Sequence, residues 1–471
     1  TQVDSASTLA VNGSVSNSAG TMSVTADGAL TIGSRSFSNS GSVSNSGERL
    51  EILSTTSDGV ITITQNVTNE SGQLELNAYA INVGGVLTAN GGELNVQGSS
   101  TGQDVLPYMT IGAIDVNGGE LNLNALSGGV TVSGGVDVSG GVMNIDVATH
   151  KLAAGASVNI AGNVNVAGNS TADGDVNIAA YGGQGFVLSA FNSADDTDNA
   201  SIHIGGNIVN TSLSGRSITF DAATIFVDQG VKLSGTNNVI AFGATGTDYL
   251  SVSGAVEVEN GATLNLTVDD ADLGSLFVDD SSVLLANGTQ ITTDKELHLA
   301  GNLWFDGLAP SPKPVSGTVV GSGVDNLTLK SGDAQVVVGG SIDLGDKTLN
   351  LEAPKGAVIV DGGVQVQSGG TFLADGVTVQ VGDVANSGTI TFESDKTVAM
   401  GNAVVNAGTM NVKANGTTTM NGMTIAEGAV VNIDAVSVAD VIANGDVVVN
   451  GDKLRLNQVL LNLLSNAMKF T

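Results

Sequence analysis

The chain has 471 residues with 65 Gly, 5 Pro, no Cys, 11 Phe, 4 Tyr and 1 Trp, and 46 acids against 15 bases give a net charge of −31. That charge excludes a nucleic-acid binder, which needs a basic patch for phosphates. The lack of Cys excludes disulfides, thiolate metal sites and Cys nucleophiles, and glycine without a strict three-residue period, with so little proline, excludes collagen.

The chain begins at Thr1 rather than Met, which fits a removed signal peptide. No run of 18 apolar residues occurs, so no membrane-spanning helix is expected. The organising signal is a repeat. A glycine turn followed by apolar–Asn–apolar appears as Gly91-Gly92-Glu93-Leu94-Asn95-Val96, Gly118-Gly119-Glu120-Leu121-Asn122-Leu123 and Gly140-Gly141-Val142-Met143-Asn144-Ile145. It returns around Asn265, Asn411 and Asn432. A second unit, Gly-x-apolar-x-apolar, carries Ile114/Val116, Val136/Val138 and Val256/Val258.

Such alternation means short strands with one face inward. Strands this short bury a core only when stacked, each coil covering the next. The expected fold is therefore all-β: a right-handed parallel β-solenoid, or β-helix. In the C-terminal part, Ile342, Val364, Val384, Val404, Ile425 and Val447 read as equivalent positions. Their spacing gives coils of about 21 residues and, at about 4.8 Å per coil, a rod of roughly 100 Å. Glycine supplies the positive φ of tight corners. The recurring Asn reads as an outward side chain forming polar ladders rather than as a ligand-binding row.

The pattern is interrupted at three places before the tail. Residues 97–110 leave the repeat around Pro107. Residues 181–200 carry Asp195, Asp196 and Asp198 in one oxygen-rich loop. The segment 309–317 holds Pro310, Pro312 and Pro314, a loop or joint between solenoid segments 1–308 and 318–451. The last stretch, 452–471, has no Gly and places Leu456, Val459, Leu460, Leu463, Leu464 and Ala467 at helical spacing. It reads as a short C-terminal amphipathic helix, with Asp452 as N-cap.

Residues 1–451 resemble the β-solenoid passengers of bacterial surface proteins, as in autotransporter adhesins and filamentous-haemagglutinin-like proteins. The Gly-Gly-x-Leu-Asn-Val and Gly-x-Val-x-Val units carry that resemblance, which implies an exported surface protein. An autotransporter would add a C-terminal membrane β-barrel, and none is visible in this sequence. Residues 452–471 are similar to the N-box of sensor histidine kinases, through the run Arg455–Thr471. That resemblance implies that Asn462 and Asn466 match residues of an ATP-site helix, with Asn466 matching the one that helps hold magnesium. The glycine-rich boxes that should come next are absent, so kinase activity is not expected.

No catalytic constellation is legible. His150, His203 and His298 lie far apart, and the last two sit in alternating patterns that point them outward. Arg216 lies in a Ser-Gly-Arg-Ser turn without obvious partners. Calcium, which takes six to eight hard oxygen ligands, is the metal that Asp195, Asp196 and Asp198 suit. Asp269, Asp270 and Asp272, and Asp279 with Asp280, are weaker acidic groups of the same kind.

The expectation is a non-enzymatic, extracellular structural or adhesive protein of the bacterial cell surface. Self-association into a layer or filament and contact with host-cell or glycan surfaces fit it. The alternative is a β-helix carbohydrate-active enzyme, a polysaccharide lyase or hydrolase. Its sign would be acids on one coil face beside an Arg or an aromatic platform.

Overall fold

A computed structural model describes residues 2–450 except 4–6, 11–13, 18–21, 25–28, 99–107, 126–128, 149–156, 167–175, 182–200, 213–214, 280, 287–289, 296, 300–301, 305–317, 321–325, 333 and 436–440. The described residues form 46 strands and no helix. The Pro-rich joint at 309–317 and the tail at 452–471, with its expected helix and N-box-like pattern, lie outside them. The chain divides into two compact units, Thr1–Glu257 with Gly261–Val268, and Val258–Asn260 with Asp269–Thr471.

The first unit is a parallel β-solenoid built from three stacks of strands. One stack carries the apolar–Asn–apolar units, preceded by two strands with Glu in the Asn position: Arg49–Ser54, Gln73–Ala78, Glu93–Gly98, Glu120–Ala125 and Val142–Ala148. Their pairing aligns Leu50, Leu74, Leu94, Leu121 and Met143 in one inward column, and Ile52, Leu76, Val96, Leu123 and Ile145 in a second. Every one of these side chains is buried. Fully burying one such side chain stabilises by roughly 1.5–3 kcal/mol, so the columns are the dominant support of the fold. The second sequence unit builds another stack, in which Ile114 pairs with Val136 and Val116 with Val138, all buried. Phe220 and Phe242 pair in register and stack at 5.2 Å inside the first unit.

The second unit repeats the plan. Leu327, Leu349, Phe372, Ile390, Met410 and Val431 form one column, and Leu329, Leu351, Ala374, Phe392, Val412 and Ile433 the next. Phe372 and Phe392 meet edge to face at 6.2 Å within this core.

The coil step is not constant at 21. Phe372 pairs with Ile390, a step of 18, whereas Met143 pairs with Val176, a step of 33, and Val176 with Ile218, a step of 42. Strand pairing fixes the register of the alternating side chains, not the number of residues in the corners between strands. The C-terminal spacing also needs correction. The column runs Ile342, Val364, Val384, Ala403, Met423, Val447. Val404 and Ile425 are not members of it: Val404 is registered with Ala385 and Thr424 and faces out. An even spacing of valines cannot separate inward from outward neighbours when both are apolar, as in Ala403-Val404-Val405.

Two corner devices hold the coils in place. Gly72, Gly92, Gly119 and Gly141 all have positive φ and stack on one another. A Cβ on Gly92 would stand 2.0 Å from the Gly72 carbonyl oxygen, and one on Gly119 would stand 2.3 Å from that of Gly92. Only glycine fits both the conformation and the space. The second device is buried asparagine. Asn45 and Asn69 end successive strands, and the Asn45 Nδ2 donates to the Asn69 Oδ1 and to the carbonyls of Ser71 and Gln73. Asn69 repeats the arrangement with the carbonyls of Gly91 and Glu93. The corner carbonyls of Ser71 and Gly91 thereby gain a partner, and the strands that start at Gln73 and Glu93 are tied to the same amides.

Candidate functional site

The outer faces carry the chemistry, because the inner columns are apolar. The recurring Asn does form outward ladders. Asn122 donates to Asn95 at 3.0 Å and Asn144 to Asn122 at 2.8 Å. Asn432 donates to Asn411 at 2.9 Å. A parallel corner ladder links Glu70, Asn90, Asn117 and Ser139 at 2.8 to 3.0 Å per step. These amides pair with one another from coil to coil, which suits a structural role.

Two outer patches differ from this background. The first, in the first unit, is centred on Phe226 of the strand Thr224–Val227. Phe226 is 39% exposed, the one exposed Phe among the described residues. Its ring lies 6.0 Å from that of Tyr249 at an interplanar angle of 59°. On the coil before, His203 is registered with Phe226. Its Nε2 lies 3.0 Å from Asp228 Oδ1, and both side chains are about half exposed. Asn159, Ser201, Thr224 and Ser251 fill the neighbouring register positions, so the aromatic pair is set in polar surroundings. His203 faces out as its alternating pattern implies. Its pairing with Asp228, 25 residues on, depends on coil length and has no local signal.

The second patch, in the second unit, is a charged column. Lys330, Glu352, Asp375, Glu393, Lys413 and Asp434 are register partners in succession. Three carboxylates thus stand on adjacent strands, about 4.8 Å apart, with a lysine on either side. Lys330 reaches Glu352 and Lys413 reaches Glu393, each at 3.8 Å. Burial, then the neighbouring Glu393, Glu352 and Asp395, raise the Asp375 carboxyl above its ordinary range, and Lys413 opposes them. The column adjoins no exposed aromatic ring and no arginine among the described residues.

Other residues singled out in the sequence have structural places. Arg216 is not a free turn residue: it is buried. Its N–H donates to Asn238 Oδ1 at 2.9 Å, its carbonyl accepts from Asn210 at 2.9 Å, and its guanidinium donates to the Ser139 carbonyl at 3.4 Å. Asp279 closes a turn by accepting from the N–H groups of Asn260 and Ser281 and from the Ser281 hydroxyl. Burial opposes ionisation of Asp279, but these bonds and one from Ser282 outweigh it and lower the pKa. Asp269, Asp270 and Asp272 lie on the strand Thr263–Val278, all three facing solvent. His298 lies on the strand Leu297–Leu299. His150, Asp280 and the calcium candidates Asp195, Asp196 and Asp198 lie outside the described residues. Among the described residues, no group of three or more His, Asp or Glu side chains is placed to hold a metal ion. No helix among them is long and apolar enough to cross a membrane.

No protein-family model matches the chain, and no solved structure matches it. One curated relative is a probable autotransporter, YfaL, of Escherichia coli strain K12, 32% identical over 145 residues. The match spans 29% of this chain and 11% of that protein. The chain therefore corresponds to a small part of that relative's length, and the similarity is of the autotransporter kind already suggested by the repeats.

Proposed function

We propose that this chain is a passenger-type segment of an extracellular bacterial surface protein, non-enzymatic, with a structural and adhesive role. The observation that carries this reading is the agreement of the parallel β-solenoid with the autotransporter similarity. Outward Asn ladders such as Asn95–Asn122–Asn144, paired from coil to coil, support it. Self-association into a layer or filament belongs to the same reading. With a net charge of −31, lateral contact between copies needs screening or divalent bridging. Calcium at Asp195, Asp196 and Asp198 is the proposed bridge. The test is export and imaging: the chain fused to its native flanking sequence should be labelled on intact cells by an impermeant reagent. Negative-stain images with calcium should show assemblies that EDTA disperses. Labelling only after lysis overturns the surface role, and single particles under all conditions overturn assembly.

A second reading, a carbohydrate-active enzyme, is favoured by one observation. Asp375, held toward its protonated form, stands between two carboxylates, as an acid–base pair requires. Reducing-end release from a panel of neutral and acidic polysaccharides, lost in Asp375→Asn, would support it. Silence across the panel would remove it.

A further inference from the structure

We propose that Phe226, Tyr249, His203 and Asp228 form a binding subsite for a neutral pyranoside of a glycan chain. In a sequence with only 11 Phe, 4 Tyr and 1 Trp, an outward Phe needs a reason. It contributes nothing to the core, where the column of this stack is made by Ile202, Ile225 and Leu250. It keeps 39% of its surface in water, where the other described Phe side chains are buried or half-buried.

The geometry suits a sugar. The faces of aromatic rings carry partial negative charge, and the axial C–H groups of a pyranose are weakly positive and apolar. Two rings at 59° offer a corner rather than a flat plate. Beside them, the His203–Asp228 pair supplies an imidazole nitrogen and a carboxylate oxygen within one coil of the ring. That combination can accept from and donate to vicinal hydroxyls. The neighbouring Asn159, Ser201, Thr224 and Ser251 add polar groups. A protein partner needs on the order of 1,000 Å² of interface with an apolar centre, and this patch offers two rings. An acidic sugar is disfavoured by the Asp228 carboxylate and the charge of the whole chain.

The assignment deepens the adhesive reading and rests on it only for where the glycan is met. The purified chain is therefore the right material, since failure to bind sugar leaves the surface location untouched. The probes are immobilised tetrasaccharides of glucose, galactose and N-acetylglucosamine in α and β linkage, with uronic-acid oligomers alongside. One neutral series should bind, and the tightest binder should then be titrated in solution. Phe226→Ala should weaken that binding by about tenfold or more. Phe226→Trp should retain it, and His203→Ala should weaken it. Thermal unfolding of all three should stay cooperative and close to the parent, which shows that lost binding is not lost folding. No binding to any neutral series overturns the proposal, as does Phe226→Ala binding as tightly as the parent. Preference for the uronic-acid oligomers would also overturn the neutral assignment.

Discussion

Asn45 donates through Nδ2 to the Oδ1 of Asn69 over 2.9 Å, from one coil to the next, with both side chains fully buried. The same amide also satisfies two backbone carbonyls. Polar groups inside this solenoid thus bind coil to coil, as do those outside it, but in surroundings where the loss of a partner cannot be made good by water.

The inner and outer ladders should therefore respond differently to truncation. Asn45→Ala is expected to cost about 2 kcal/mol, since it strands the buried Asn69 Oδ1. Asn122→Ala, on the outer ladder, should cost less than about 1 kcal/mol. Chemical denaturation of the two variants checks the ordering, and equal shifts would sink it.

Gly92→Ala places a methyl group against the Gly72 carbonyl in a positive-φ backbone. The expected loss is at least about 2 kcal/mol. Gly428 also has positive φ, but a Cβ there meets nothing within 4 Å. Gly428→Ala should lose only the conformational part, about 1 kcal/mol. A thermal-shift comparison of the two decides whether crowding or conformation dominates.

The corrected register can be tested at one peptide. Val405 is buried and Val404 faces out. Val405→Asp should unfold the local coils, with a loss above about 3 kcal/mol. Val404→Asp should stay within about 0.5 kcal/mol of the parent. Had the even spacing of valines marked the inward row, the outcomes would be exchanged, and circular dichroism on heating would show it.

Asp375 sets a pH dependence. Its folded pKa is raised, so the folded state holds that proton more tightly than the unfolded chain. The stability it contributes is full below its ordinary pKa of 3.8 and is lost as pH rises through the raised value. Asp375→Asn should therefore gain stability over the parent at neutral pH and little at about pH 3. Midpoints measured across that range should diverge as pH rises. Parallel curves would contradict the assignment.

Much of the fold was legible because period-two alternation is a local signal. Leu121-Asn122-Leu123 declares its inward and outward members unaided, and the glycine pair before it declares the corner. What escaped was long-range or ambiguous. Val404 stands among apolar neighbours on both sides, so alternation carries no information there. Asn45 comes after Val43-Ser44 as inconspicuously as any outward Asn, and its burial is decided by the corner it closes. The meeting of His203 with Phe226 and Asp228 depends on coil steps that vary from 18 to 42, so equal spacing could not find it. Glu352, Asp375 and Glu393 were likewise separate acids until register aligned them.

The uneven steps carry a last consequence. Because strands are matched by side-chain alternation while corners vary in length, the architecture has no reading frame in its loops. A peptide inserted at the corner between Arg49–Ser54 and Val60–Ile63, where the chain spends 5 residues between strands, should leave every downstream pairing unchanged. One residue inserted within Glu120–Ala125 should instead invert the facing of every later residue of that strand. Variation in length is thereby steered to the corners. A lineage can diversify what it shows its surroundings there while the columns beneath stay as they are.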